Sequence, residues 1–224
     1  MLTPYGHDNA FLMLGIGACL LLLALTPVGW VFQLILGALG ITLICFTLWF
    51  FRDPERPVLT EALTNATLVM APADGQVVNV EPATYCPELD CDAVQISIFL
   101  SPVNLHVNRY PASGHITLAR YIPGLYLMAF NPKSSTENER SMFVLKTEAG
   151  SIMYQQITGF LARRIVYDTA VGDTVSVGQR FGMMKFGSRM DVVVPATAQI
   201  LVRPGEKVVS AHTILAKLAL QGAT

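Results

Sequence analysis

Charged residues are almost absent from the first quarter of this 224-residue chain. No Lys, Arg, Asp or Glu occurs between Asp8 and Arg52, and all 15 basic residues lie at or after Arg52. Over the whole chain, charged residues make up 14% and hydrophobic residues 52%. A composition so apolar excludes a disordered chain. Because 15 basic residues face 16 acidic ones without any basic run, the sequence also argues against nucleic acid as a partner.

Cysteine is scarce as well. Cys19 and Cys45 lie in the apolar segment, and Cys86 and Cys91 flank a short polar loop. Two neighbouring thiols are too few for a structural zinc site, so the sequence predicts no metal centre. We expect free thiols in a reducing compartment, with a disulfide between Cys86 and Cys91 as the alternative.

The uncharged segment is long enough to meet a bilayer twice. It breaks at the turn residues Thr26–Gly29. Before the break, Phe11–Leu25 reaches about 22 Å as a helix, and after it Val28–Phe51 reaches about 36 Å, against a hydrocarbon core of about 30 Å. Trp30 and Trp49 lie near the ends of the second run, where interfacial aromatics are expected. Residues 1–51 are therefore predicted to be a membrane anchor, either a helical hairpin or one span preceded by a re-entrant piece.

Two charges suggest the orientation of this anchor. Arg52 and Arg56 follow the second run and favour a cytoplasmic exit. A secretory signal peptide is the alternative, but it needs a basic leader, and Met1–Ala10 contains no Lys or Arg. We expect the protein in the cell membrane with residues 52–224 on the cytoplasmic side.

Residues 52–224 have the pattern of a mostly β domain that is large enough for its own core. Short runs rich in Val and Ile recur between turn signals, which is typical of many short strands. The predicted strands include Gln76–Val80, Val94–Leu100, Ser141–Lys146, Ile152–Ile157 and Asp191–Val194. A helix is predicted near Pro123–Phe130.

A weak internal repeat supports a barrel-like architecture. Gly172–Val175 with Phe181 matches Gly205–Val208 with Ile214, 33 residues later. The unit, a turn followed by a strand, resembles the hairpin units of biotinyl/lipoyl-type barrel domains. No lysine sits in a tight turn flanked by Met, as a swinging-arm cofactor would require.

Three stretches contain residues that strand formation does not explain. Asp74 lies in a tight turn, although a turn aspartate often only bonds its own backbone. His106 is a candidate proton carrier, although a lone histidine is more often structural. Gly187-Ser188 offers a nucleophile, but Gly150-Ser151 is the same dipeptide in a predicted hairpin turn.

These stretches belong to a longer series of short pieces, which are Phe51–Arg56, Pro72–Gly75, Ser101–Arg109, Asn138–Arg140, Gly159–Arg164 and Phe186–Arg189. Each piece is short, but their order and spacing over residues 51–195 are specific. Together they resemble a known enzyme family, the phosphatidylserine decarboxylase proenzymes of the short prokaryotic type.

The resemblance implies that the chain makes its own cofactor. The Ser188 hydroxyl would attack the Gly187 carbonyl, with His106 as base and Asp74 orienting the imidazole. Elimination and hydrolysis would then convert Ser188 into a covalent pyruvoyl group. The products would be a β chain, 1–187, and an α chain, 188–224, which remain together as a heterodimer.

The same resemblance implies a lyase acting on a phospholipid in the membrane. The pyruvoyl ketone would form a Schiff base with the amine of phosphatidylserine and take up the electrons when carbon dioxide leaves, and His106 would return a proton. Many family members carry a second His where this chain has Arg109. Arg109 cannot be a base, but it can hold a carboxylate or phosphate. Lys133 and Arg140 are further candidates for binding the substrate.

Other interpretations stay open at this point. A membrane-anchored, non-catalytic barrel adaptor would explain the anchor and the repeat, and predicts an uncut chain. A pyruvoyl decarboxylase for a soluble amino acid would need no anchor. A decarboxylase for another lipid head group or for an ether lipid would have identical protein chemistry. Homo-oligomerisation is also compatible with the sequence.

Overall fold

The computed structural model describes residues 1–27, 29–128, 131, 133–160, 164–184 and 188–219. The chain divides into two compact units, Met1–Pro54 and Glu55–Thr224. The domain boundary placed after residue 51, and the functions assigned to the two parts, stay predictions.

The first unit consists of helices. A short 3₁₀ turn, Pro4–Gly6, leads into α1, His7–Ala24, and α2 is Trp30–Phe50. The segments Pro4–Ala24 and Trp30–Phe50 each have 21 residues and are long and apolar enough to cross a membrane. The first helix begins before Phe11, because Asp8 in its first turn suits the positive end of the helix dipole. The helix is therefore longer than the predicted run Phe11–Leu25, while the choice between a helical hairpin and one span with a re-entrant piece stays a prediction.

Glycines allow the two helices to pack closely. A Cβ added at Gly40 would lie 2.9 Å from the Gly17 carbonyl oxygen, and one at Gly17 would lie 3.2 Å from that of Gly40. Small residues that let backbones approach are typical of helix pairs in membranes. The apolar side chains on the other faces, such as Phe11 and Leu34, are exposed, as expected of a surface that faces lipid.

The second unit is mostly β, which confirms the predicted fold class. Two short helices, α3 Thr60–Thr64 and α4 Ser134–Glu137, accompany the strands. The strands of the described residues are β1 Leu68–Met70, β2 Gly75–Cys86, β3 Cys91–Leu100, β4 Val107–Arg109, β5 Gly114–Ile122, β6 Arg140–Thr147, β7 Gly150–Ile157, β8 Ile165–Tyr167, β9 Thr174–Val175, β10 Arg180–Met184, β11 Ser188–Pro195, β12 Gln199–Ile200, β13 Lys207–Val208 and β14 Ile214–Lys217.

The main sheet has eight antiparallel strands in the order β13-β2-β3-β11-β7-β6-β5-β9. It curls around one core, because alternate residues of its strands point to the same face. Val192, Ile96, Tyr154 and Phe143 lie in that core and are fully buried. Two three-stranded sheets, β1-β14-β12 and β4-β10-β8, complete the unit.

The internal repeat marks the two edges of the main sheet. β9 follows Gly172 and pairs with β5, while β13 follows Gly205 and pairs with β2. Both glycines have φ +94°, a backbone conformation that side chains with a Cβ rarely adopt. The repeat is therefore structural, whereas the finer comparison with biotinyl/lipoyl hairpins stays a prediction.

The helix predicted near Pro123–Phe130 is wrong for its described part, residues 123–128. This segment is extended, and Asn138 replaces the hydrogen bonds that a helix would make. The Asn138 side chain accepts from the Leu127 N–H and donates to the Leu127 carbonyl, both at 2.9 Å. Gly124 packs against the backbone after α4, where a Cβ would lie 2.4 Å from the Glu137 carbonyl oxygen. Residues 129 and 130 lie outside the described residues.

Candidate active site

Ser188 is the first residue of β11 and lies at one end of the main sheet. It pairs with Leu100, the last residue of β3, and is fully buried. Its hydroxyl oxygen has no hydrogen-bond partner among the described residues. Gly187, the other predicted member of this pair, lies outside the described residues. A buried hydroxyl without a partner is uncommon in a folded protein and requires an explanation.

Asp74 lies at the same end of the sheet, in the turn before β2. Phe99 of β3 pairs with Gln76 of β2 on one side and with Arg189 of β11 on the other. The residues that precede Gln76 and Arg189 therefore lie beside the end of β3. Gly75 makes this approach possible, since a Cβ there would lie 2.3 Å from the Phe99 carbonyl oxygen. β3 is therefore flanked at its end by Asp74 and Ser188.

The Asp74 carboxylate bonds to distant parts of the chain and not to its own turn. Its Oδ1 accepts from the Ser210 N–H at 2.9 Å, and its Oδ2 accepts from Nη2 of Arg56 at 2.5 Å. Asp74 and Arg56 are 12% and 20% exposed at their side chains, so this charge-assisted pair is poorly screened by water. Asp173, in contrast, is an ordinary turn aspartate, because its Oδ2 accepts from the Ala170 N–H within its own turn.

Sequence reasoning used Arg56 for the orientation of the anchor and as part of a matching motif, but gave it no role in the site. Its contact with Asp74 joins residues 18 positions apart, and no local pattern predicts such a contact. One sequence signal could have pointed to Arg56 as a site residue. Phe51–Arg56 is one of the matching pieces, and it has no strand or helix periodicity that would explain it structurally.

His106 is brought to this region by β4, the strand that follows it. The His106 carbonyl accepts from the Met184 N–H at 3.3 Å, and the Arg109 N–H donates to the Pro72 carbonyl at 2.8 Å. β4 is thus attached both to the turn that carries Asp74 and to β10, which precedes Ser188. His106 is 1% exposed. Three distant segments therefore converge at one end of the sheet.

The predicted substrate-binding residues lie in different settings. Arg109 is buried, and its Nη1 donates to the Gly178 carbonyl at 3.0 Å. Lys133 is exposed and directly precedes α4. Arg140 begins β6, donates to the carbonyls of Thr136 and Asn138 at 2.7 and 3.1 Å, and its burial lowers the pKa of its guanidinium. Their binding roles stay predictions.

A buried ion pair follows directly after Ser188 and was not anticipated from the sequence. Arg189 Nε donates to Asp191 Oδ1 at 2.6 Å, and both side chains are almost fully buried. Arg189 also donates to the hydroxyl of Ser97 at 2.5 Å, and Ser135 of α4 donates to Asp191 at 2.8 Å. Buried charges are tolerated only with such complete pairing. The cluster fixes the first residues of β11 on the outer face of the sheet.

Thiols and metal ligands add nothing further to this site. Cys86 and Cys91 are opposite each other in the β2–β3 hairpin and are free. In the described ranges, no group of three or more His, Cys, Asp or Glu side chains could hold a metal ion. The catalytic roles of Ser188, His106 and Asp74 stay predictions.

Comparison with known proteins agrees with these features. A family model described as phosphatidylserine decarboxylase matches residues 43–216. A phosphatidylserine decarboxylase proenzyme of Chlorobium chlorochromatii is 40% identical over 218 residues, covering 97% of this chain and 100% of that protein. A proenzyme of the same name from Salinibacter ruber is 47% identical over 176 residues, covering 78% of this chain and 77% of that protein. The chain belongs to the phosphatidylserine decarboxylase family.

Proposed function

We propose that this protein is a proenzyme that cleaves itself between Gly187 and Ser188 and then decarboxylates phosphatidylserine to phosphatidylethanolamine. The family membership and the names of the relatives, phosphatidylserine decarboxylase proenzymes, support the reaction. The structural observation that carries the proposal is the buried Ser188 hydroxyl, which lies without a partner among the described residues where the segments of Asp74 and His106 converge.

Self-cleavage needs groups of this chain and one water molecule. The Ser188 oxygen attacks the Gly187 carbonyl carbon, and His106 takes the hydroxyl proton. The C–N bond then breaks as the nitrogen gains a proton, which leaves an ester. Loss of the proton from Cα of residue 188 expels the Gly187 carboxylate, and hydrolysis of the resulting dehydroalanine releases ammonia. Asp74, already bonded to Arg56, stabilises the charged imidazole.

The surroundings of Ser188 fit the pyruvoyl group that this reaction leaves. Conversion replaces the CH2–OH of the serine with a methyl group, and the lost oxygen breaks no hydrogen bond to a described residue. The position is fully buried beside Leu100, where a methyl group is favourable. When formed, the group supplies an electrophilic ketone for the substrate amine and takes up the electron pair released with carbon dioxide.

The remaining steps are assigned to side chains around this position. His106 returns a proton to the substrate carbon after carbon dioxide has left. Arg109 holds the substrate carboxylate or phosphate in place of the second histidine of many family members. Lys133 and Arg140 contribute positive charge for the phosphate, which steers an anionic head group toward the site.

The two products of the cut would stay together as a heterodimer. β11 is a central strand that pairs with β3 over eight positions and with β7 over five. Its alternate residues Met190, Val192 and Val194 are fully buried in the core. Because the new chain end would lie at the start of this strand, cleavage leaves the pairing of residues 189–195 and their apolar burial intact.

The intact mass of the purified protein under denaturing conditions tests the cut. We expect a fragment of residues 188–224 with a blocked N-terminus and a second fragment of residues 1–187. A cut at Gly150-Ser151 would contradict the assignment of the nucleophile. A single 24.4 kDa species in membranes would contradict the whole proposal and favour the non-catalytic adaptor.

The domain that carries the site would face the cytoplasm. The support is the pair Arg52 and Arg56 after the second apolar helix, since basic residues favour the cytoplasmic side. In sealed spheroplasts, we expect externally added protease to leave residues 55–224 intact and to degrade them once the membrane is permeabilised. Degradation before permeabilisation would show the opposite orientation.

A further inference from the structure

Asn108 is a buried residue to which the proposed reaction assigns no role. Its side chain is fully buried in β4, two positions after His106. Its Oδ1 accepts from Nε2 of Gln156 at 2.8 Å, but its Nδ2 has no hydrogen-bond partner among the described residues. A buried amide nitrogen with two unused N–H donors is costly, and this cost points to an acceptor that is present only part of the time.

A hydrogen-bond relay fixes the orientation of this amide. The Ser141 hydroxyl donates to Oε1 of Gln156 at 2.8 Å, and Nε2 of Gln156 donates to Oδ1 of Asn108 at 2.8 Å. Asn108 then has to present its oxygen to Gln156 and its nitrogen in another direction. Gly182 makes room for the relay, since a Cβ there would lie 3.0 Å from Nε2 of Gln156 and 2.4 Å from the Val166 carbonyl oxygen.

The relay lies on the same face of the sheet as Ser188. Gln156 pairs with Met190 across β7 and β11. Because side chains alternate along a strand, Gln156 shares the inner face with Tyr154, and Ser188 shares it with Met190; both of these partners belong to the core. Diagonal neighbours such as Gln156 and Ser188 have their Cα atoms about 7–8 Å apart. The unused donor and the unused hydroxyl thus occupy the inner face at the same end of the sheet.

We propose that Nδ2 of Asn108 donates a hydrogen bond to the oxyanion that forms during self-cleavage, an inference that rests on the proposed function. When the Ser188 oxygen bonds to the Gly187 carbonyl carbon, the π electron pair moves onto the carbonyl oxygen and the hydroxyl proton moves to His106. The negative charge exists until the C–N bond breaks and the carbonyl re-forms. A donor that gains its acceptor only at that stage lowers the barrier without stabilising the uncut chain. Ser141 and Gln156 act as positioning residues.

Two substitutions of Asn108 test this role in the full-length chain. Asn108→Ala removes the donor, and Asn108→Asp keeps an oxygen for Gln156 while replacing the N–H groups with an acceptor. We expect both variants to convert about 10²–10³-fold more slowly than the unmodified chain, the usual loss for one oxyanion donor. The measurement is a time course of the uncut band on denaturing gels after cell-free synthesis with membranes.

A buried glutamine provides the matched control. Gln155 is 5% exposed, and its side-chain oxygen also lacks a hydrogen-bond partner in the described part of the chain. It is next to Gln156 and therefore on the opposite face of β7. Gln155→Ala is expected to cleave at the unmodified rate. Equal slowing by Gln155→Ala and Asn108→Ala would reject the inference, because general loosening of the sheet would explain both.

Thermal unfolding separates a catalytic role from a structural one. Each Asn108 substitution is also made in a Ser188→Ala chain, so that all compared proteins are uncut. We expect Asn108→Asp in that background to keep a cooperative transition. Loss of this transition in both Asn108 variants, or cleavage of both at the unmodified rate, would overturn the role of Asn108. The proposed function fails separately, if the unmodified chain itself is never cut at Ser188.

Discussion

With Ser188 replaced by alanine, the chain is expected to remain one piece of 24.4 kDa and to release no carbon dioxide from phosphatidylserine above background. The substitution removes the oxygen that attacks the Gly187 carbonyl, and with it the only source of the pyruvoyl group. The fold should not suffer, because Ser188 is fully buried and its oxygen bonds to no described residue. Intact mass and release of labelled carbon dioxide measure the two effects.

The second Gly-Ser pair supplies the control. Ser151 follows Gly150 at the start of β7, where Gly150 has φ +139° in the tight turn after β6. Ser151→Ala is expected to be cleaved and to decarboxylate like the unmodified chain. Two fragments of unchanged size from Ser188→Ala would remove Ser188 as the nucleophile, and full decarboxylation by the uncut protein would exclude pyruvoyl chemistry.

The β-rich class could be predicted because strand formation leaves a local signal. Short runs rich in Val and Ile between turn signals indicated five strands, which the structure contains within β2, β3, β6, β7 and β11. The repeat was visible for the same reason, since the turn glycines Gly172 and Gly205 need the same positive φ. Family membership followed from short motifs in a fixed order, which the comparisons confirm.

Sequence reasoning failed where distant residues decide the local conformation. The segment from Pro123 to Met128 has helix-compatible residues, but the side chain of Asn138 holds Leu127 in an extended form. The first apolar helix begins at His7 and not at Phe11, because polar residues at its start were not counted as helical. One error concerns the end of a helix and the other a tertiary contact. Local propensity gives little information on either.

In the site, too, local motifs could be predicted from the sequence and tertiary contacts could not. The proposed nucleophile, base and orienting carboxylate were singled out by motif and residue type, but the sequence could not indicate what surrounds them. The ion pair of Arg189 with Asp191 and the relay through Gln156 link strands that are far apart along the chain. Such contacts depend on the register of β11 against its neighbours, which only the structure provides. The roles of Ser188, His106 and Asp74 stay predictions until variants are measured.

Asp74→Asn should have an effect almost as large as removal of the nucleophile. We expect self-cleavage to slow by about 10⁴-fold, the usual loss when an orienting aspartate in a Ser-His-Asp arrangement becomes an amide. The structure gives a specific reason. Oδ1 accepts from Ser210 N–H and Oδ2 from Arg56, so an amide NH2 would face a donor in either orientation. The Arg56 charge would also lose its partner, and the imidazolium of His106 its stabilising anion.

Two variants test whether the slow cleavage of Asp74→Asn is caused by the missing negative charge of Asp74 in the site. Asp173→Asn changes a carboxylate that only bonds the backbone of its own turn, and it should leave the cleavage rate unchanged. Arg56→Lys keeps a positive charge but not the guanidinium geometry, and should slow cleavage by about 10-fold, as one weakened charge-assisted hydrogen bond predicts. If Asp74→Asn cleaved as fast as Asp173→Asn, Asp74 would be a structural residue that holds Ser210 and Arg56. His106 would then have to act without a carboxylate at Asp74.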